Sequence, residues 1–526
     1  MIEIYDRIPG DGEAGGPPSG GASEDEARLE DVRRRAEAFQ QELQLEYYES
    51  NAGLKGETNV SKIYRKYEDL LARPTIDLAR RQLERVKAAP QGDAGAEKAT
   101  RLRNLAEFLV DEFIGGEVKT IIDEILTRES AARVKVGQDE IAFRQLVAEI
   151  ANTDDRDRRA LLEAKVLSVI EELTPLLAER IGIERGIARS FGFDTYTRLW
   201  EATAGIDLVE LDQAMQRFLQ RTEDMYRDAM GWVVRKRLGI ELADARRHDL
   251  SWLLRANELD DRFKKEEMIP TAGRFAEEMG LDPTAHGNIR FDVEPRERKR
   301  PRAFTAMIRI PQEIVLVLHP EGGRRDWQGF LHELGHALHY GHVSPTEPYE
   351  TRCLGDASLT ETYAFLFQYL LLDKGWLKRF AGIAKPKELL FLSYLEKLYY
   401  LRRYAAKLHY ELALHDGNGV EGKDKLYEDT LVSAVKIRYP RELFLYDVDR
   451  AYYVARYLRA WLFEALLSKH LVHYFDEDWY RNPRTGAFLK KLWATGQRYR
   501  VEEMVKEIGY EGLSTQPLEE ELFKNL

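Results

Sequence analysis

Cysteine is almost missing: Cys353 is the only one among 526 residues. No intramolecular disulfide can form, so nothing points to an oxidising compartment, and Cys353 reads as a packing residue. Long apolar runs are missing too. A membrane helix needs ~18 consecutive apolar residues, and Ile314-Val-Leu-Val-Leu318 is far too short. The start, Met1 to Gly10, lacks the basic opening and apolar stretch of a secretory leader. Basic charge is in deficit, since 79 Lys and Arg against 91 Asp and Glu leave a net charge of −12. That balance argues against a general nucleic-acid binder, which carries a basic footprint. The expectation is a cytoplasmic protein with neither a membrane nor a nucleic-acid partner.

Hydrophobic residues make up 44% and charged residues 32%, which fits a helix-rich globular chain. Its length allows a large core and more than one lobe. Residues Pro9 to Ala22 are rich in Gly, Pro and Ser. Such a segment buries little apolar surface, so 1–23 is expected to be a disordered tail. From Glu24 onward apolar residues recur at helical spacing, as in Leu29, Val32, Ala36 and Phe39. Long helices are expected over Leu102–Ala151 and Arg156–Gly182, with a loop from Pro90 to Glu97 and a break at Pro74. Only Asn288 to Pro320 reads as non-helical. It opens with a basic run, Pro295 to Arg302, taken as a solvated turn. Two β-branched stretches follow, Ala303–Pro311 and Glu313–His319, which predict two strands joined by a short turn.

The chemistry is concentrated just after these strands, in Phe330-Leu-His-Glu-Leu-Gly-His-Ala-Leu-His339. His332 and His336 are four residues apart, so on a helix both imidazoles lie on one face, one turn apart. Two converging imidazoles suit Zn²⁺. Glu333 follows the first of them, where a carboxylate serves as general base toward water activated by the metal. A catalytic zinc usually has three protein ligands and one open position. The third candidate is Glu361, 25 residues beyond His336, in the apolar segment Asp356 to Leu371. A charge emerging from an apolar helix needs a partner, and a metal is one.

His332-Glu-Leu-Gly-His-Ala-Leu-His339, with Glu361 downstream, resembles the thimet oligopeptidase and oligoendopeptidase F family of zinc metallopeptidases. More distantly it resembles the angiotensin-converting enzyme family. The likeness is strongest from about Ala303 to Leu371. It implies a mainly α, zincin-like fold, with two helical lobes around a deep substrate channel and a small β-sheet beside the HExxH zinc site. The lobes would be 24–285 and a catalytic region, 286–526, that includes the C-terminal helices. The resemblance further implies one Zn²⁺ per chain on His332, His336 and Glu361, and hydrolysis of short unfolded peptides. The strand before the zinc helix would be a sheet edge to which extended substrate can pair.

In both families a later helix offers tyrosine hydroxyls to the scissile carbonyl, a sensible place for a donor. The segment Tyr452-Tyr453-Val-Ala-Arg-Tyr457-Leu fits that helix, so Tyr452 and Tyr453 are the catalytic candidates, with Tyr446 and Tyr457 close by. The chain departs from the pattern upstream. Where a histidine is expected, around residues 440 to 448, there is none, and the place falls on Glu442 or Asp447. His319, His339 and His342 are read as structural. A catalytically silent relative or a different zinc hydrolase stays open as an alternative, since a fold does not fix a substrate. Oligomeric state is not legible.

Overall fold

The computed structural model describes residues 24–88, 92–417 and 419–526. The expected disordered tail, 1–23, lies outside them. The chain is mainly helical, with a two-stranded hairpin and one three-stranded sheet. No helix among the described residues is long and apolar enough to cross a membrane.

Two compact units make up the chain, and neither is one continuous stretch. The first comprises the described residues up to Phe113 with Arg262–Ala384 and Arg459–Ser514. The second comprises Ile114–Asp261, Lys385–Leu458 and Thr515–Leu526. The sequence-order division at 285/286 therefore falls inside the first unit. Two long helices, Asp93–Ala131 and Tyr453–Phe475, each contribute residues to both units, which no cut placed at a loop reproduces.

The second unit is built from long helices, including Arg156–Ser190, Leu208–Arg221 and Lys387–His415. Its helix starts follow local chemistry: Asp155 and Asp207 each accept a hydrogen bond from the backbone N–H three residues on. The helix expected over Leu102–Ala151 is in fact interrupted. Strands β1 (Arg133–Val136) and β2 (Asp139–Ala142) form an antiparallel hairpin there. The turn carries Gly137 at φ 66°, a left-handed conformation that glycine adopts at little cost. The signal was present as the Val134-Lys-Val136 alternation, which a helical reading of the flanks absorbs.

In the first unit, β3 (Ile289–Asp292), β4 (Phe304–Arg309) and β5 (Glu313–Val317) form a sheet in the order β3-β5-β4. The two expected strands are β4 and β5, antiparallel, with an irregularity between Met307 and Arg309. The parallel strand β3 was not expected. Tyr48 and Ala52, from the end of helix Glu24–Asn51, pack on Ala306, Ile308, Val315 and Val317. The basic run is not a solvated turn throughout. Lys299 is buried, with its Nζ donating to the Asp292 carbonyl and carboxylate at 2.7 and 2.9 Å, and Arg296 forms a two-pronged pair with the same carboxylate. These cations compensate an acid buried at the end of β3.

Candidate metal centre

The segment Arg324–Gly341 is one helix, here the metal helix, and Ala357–Gln368 is the return helix. The metal helix turns Trp327, Phe330, Leu331, Leu334 and Leu338 into the core. Its other face presents His332, Glu333 and His336, all half-buried. The return helix is buried along almost its whole length and starts at Asp356, whose carboxylate accepts from the Ser358 N–H. Arg459 grips that carboxylate with two nitrogens, at 3.0 and 2.7 Å, and also donates to Ser358 Oγ at 2.8 Å. The start of the return helix is thereby pinned.

Gly335 sets how close the two helices come. A methyl group at its Cα would lie 2.5 Å from the Tyr363 carbonyl oxygen and 2.6 Å from Ala364 Cα. Only a residue without Cβ lets the backbones approach this far. The approach brings Glu361 to the histidines: its Oε2 is 3.3 Å from His332 Nε2 and 3.7 Å from His336 Nε2. The three side chains can hold a metal ion, with one ligand atom from each within 4.8 Å of the others. Metal–ligand bonds of about 2.0–2.1 Å in tetrahedral array place neighbouring ligand atoms about 3.3 Å apart, so the donor set and spacing fit zinc.

The far side of each imidazole is held as well. His332 Nδ1 lies 2.9 Å from Gln368 Oε1, and His336 Nδ1 lies 2.7 Å from Thr360 Oγ1. A carbonyl oxygen on Nδ1 requires the proton there, so the neutral His332 ring has its Nε2 lone pair free for a metal, and only the protonated ring donates to Glu361. Burial pulls the His332 pKa down, but the hydrogen bond and charge of Glu361 outweigh it, and the net shift is upward. At His336 burial wins, and the pKa falls below the ordinary imidazole value. Each response is that of an imidazole buried beside the Glu361 carboxylate, with Glu333 adding its charge.

Around this cluster, Phe365 stands 5.2 Å from the His332 ring and stacks on Trp461 at 4.9 Å. Thr305 Oγ1, on β4, donates to the Glu333 carbonyl at 2.9 Å, tying the edge strand to the turn of helix that carries the candidate base. Sequence reading missed Thr360, Gln368 and Gly335. Thr360 adjoins Glu361, and Gln368 follows it by seven residues, or two helical turns, so helical spacing alone points to the latter.

The other candidates have surroundings of their own. His339 is fully buried against Tyr340 and Tyr363, at ring distances of 4.8 and 4.9 Å, and burial pulls its pKa down to about 3. His342 closes the metal helix, its Nδ1 2.8 Å from the Leu338 carbonyl. Cys353 is a free thiol pushed up to about 12 by burial, consistent with packing. Tyr452 and Tyr453 belong to the second unit, the metal cluster to the first. Tyr452 is buried with φ 51°, and its hydroxyl is 2.6 Å from Thr197 Oγ1. Tyr453 is half-buried against Tyr457, ring centres 5.1 Å apart. Asp447, at the place of the expected histidine, is gripped by Arg403 through two hydrogen bonds of 2.6 Å and by the Tyr427 hydroxyl at 2.7 Å.

No protein-family model matches the chain, and no curated protein matches it.

Proposed function

We propose that the chain is a zinc-dependent metallopeptidase that hydrolyses short unfolded peptides in the cytoplasm. One observation carries the reading: His332, His336 and Glu361 present three donor atoms to one point, with Glu333 on the same helix between the histidines. His332, His336 and Glu361 would hold the ion, which, when bound, polarises a carbonyl and makes water a nucleophile near neutral pH.

The chain's own residues supply the rest. Gln368 and Thr360 fix the imidazoles from behind. The Glu333 carboxylate accepts the proton of the attacking water and returns it to the leaving nitrogen. Among the described residues β4 pairs with β5 alone, so its other edge has backbone groups to offer an extended peptide. The candidates for the oxyanion donor are Tyr452 and Tyr453, as the family resemblance implies. The size limit on substrates follows from the channel between lobes that the family resemblance implies.

A second reading has its own observation. The place of the expected histidine falls on Glu442 or Asp447, neither a histidine, and Asp447 is consumed by Arg403 and Tyr427, which is compatible with a silent peptide binder or a hydrolase of another substrate. Metal analysis and cleavage of a mixed pool of short peptides, on wild type and Glu333→Gln, separate the readings. The peptidase reading expects one zinc in both proteins and cleavage by wild type only. Zinc in both with no cleavage by either supports the second reading, and no zinc in either overturns both.

A further inference from the structure

The second unit contains a cavity of about 320 Å³ that the peptidase reading does not use. That volume is within the range of small-molecule sites. Part of the lining is an apolar wall of Phe143, Val147, Val166, Ile170 and Leu443. The lining also carries Arg144, Arg247 and Arg403.

The polar groups differ in what is left to them. Arg403 is spent: its Nε donates to Tyr439 at 2.8 Å and its Nη2 to both Asp447 oxygens. Glu129 accepts from the Tyr446 hydroxyl at 3.0 Å. Arg247 is not spent. Its Nε donates to Glu163 at 2.9 Å, and no described residue accepts from its two terminal nitrogens. Its side chain is 19% exposed and lines the cavity. A guanidinium fork of this kind matches a carboxylate with two parallel hydrogen bonds. Two of the lining residues reach solvent, Val147 at 57% and Tyr446 at 37% exposure, and so mark the rim.

We propose that this cavity binds a small organic monocarboxylate with an apolar tail, its carboxylate on the terminal nitrogens of Arg247 and its tail along Phe143, Val147 and Ile170. Of the acids in the lining, Asp447 is paired with Arg403, and Glu129 accepts from Tyr446 and lies 3.9 Å from Arg144, so an incoming carboxylate has the terminal nitrogens of Arg247 to itself. A purely inorganic anion would leave the apolar wall wet, and a neutral apolar molecule would leave the Arg247 fork without an acceptor.

The test is isothermal titration calorimetry of the full chain with 4-phenylbutyrate, its neutral amide 4-phenylbutanamide, and inorganic phosphate. A molecule of about 12 heavy atoms reaches a Kd of about 1 mM or tighter at ordinary ligand efficiency. The amide should bind about tenfold or more weakly, and Arg247→Gln should lower the acid's affinity by about 10- to 100-fold, the loss of a charged hydrogen-bond partner. Val147→Asp, at an exposed position where folding is not at stake, should weaken the acid about tenfold by placing a like charge at the rim. It decides the matter if Arg247→Gln, which leaves Glu163 without its cation, does not fold. Equal affinity for acid and amide, unchanged binding in Val147→Asp, or no saturation by the acid near ~10 mM would overturn the assignment. Phosphate binding as tightly as the acid would overturn the part played by the apolar wall.

Discussion

Gly335→Ala is the most incisive single change, because it adds one methyl group and leaves every candidate ligand in place. The added Cβ would meet the Tyr363 carbonyl at 2.5 Å and Ala364 Cα at 2.6 Å. Both are backbone atoms of the buried return helix, so neither swings aside. Ordinary contact begins near 3.4 Å, so the helices must part by about 0.9 Å. Carried to Glu361, the same displacement stretches its distances to the two Nε2 atoms from 3.3 and 3.7 Å to about 4.2 and 4.6 Å. Tetrahedral zinc requires about 3.3 Å between ligand atoms, so one ligand is lost or strained. Overpacking costs about 1–3 kcal/mol, and replacing glycine in a helix returns about 1 kcal/mol, so the apoprotein should lose at most about 2 kcal/mol. The metal should suffer more: zinc affinity, measured by competition with a fluorescent chelator, should fall about tenfold or more, and the rise in Tm on adding zinc should shrink. An affinity within twofold of wild type, with an unchanged zinc-dependent Tm, would refute the claim that Gly335 sets the ligand geometry.

Thr360→Val and Gln368→Leu should each lower zinc affinity by about 10- to 100-fold in the same competition assay, as groups that orient a metal-bound imidazole do. Arg459→Met strips the cation from buried Asp356 and should cost about 3–5 kcal/mol in chemical denaturation; the further change Asp356→Leu should recover part of it. His339, held neutral by burial with its pKa near 3, links stability to pH. The unfolded imidazole takes up a proton below about pH 6.5 and the folded one does not, so stability falls as pH drops from about 6.5 toward 3, by about 1.4 kcal/mol per unit for this one group. His339→Phe should give a shallower decline of Tm between pH 6 and 4 than wild type.

The sequence pointed to the His332, His336 and Glu361 cluster because its information is local. His332, Glu333 and His336 share one helical turn, so their convergence follows from 3.6-residue periodicity alone, and Glu361 needed only a return helix beside them. The same local logic found β4 and β5 and most helices of the second unit. It failed wherever a residue's role is fixed by a partner distant in the chain. Lys299 in a basic run looks solvated until Asp292 is folded against it. Nothing in the sequence near Tyr452 shows that its hydroxyl lies beside that of Thr197, 255 residues away. Asp447, one of the two places where a histidine is expected, is in the fold the anion of a half-buried pair with Arg403. Gly335 shows the difference best. As a letter in a motif it is a spacer between two ligands, and its physical function, the removal of a Cβ that would hold two buried backbones apart, exists only once the return helix lies against it. Ligands are therefore readable from spacing, whereas the residues that make the ligands converge are readable only from packing, and the Gly335, Thr360 and Gln368 variants test that second set without touching a ligand.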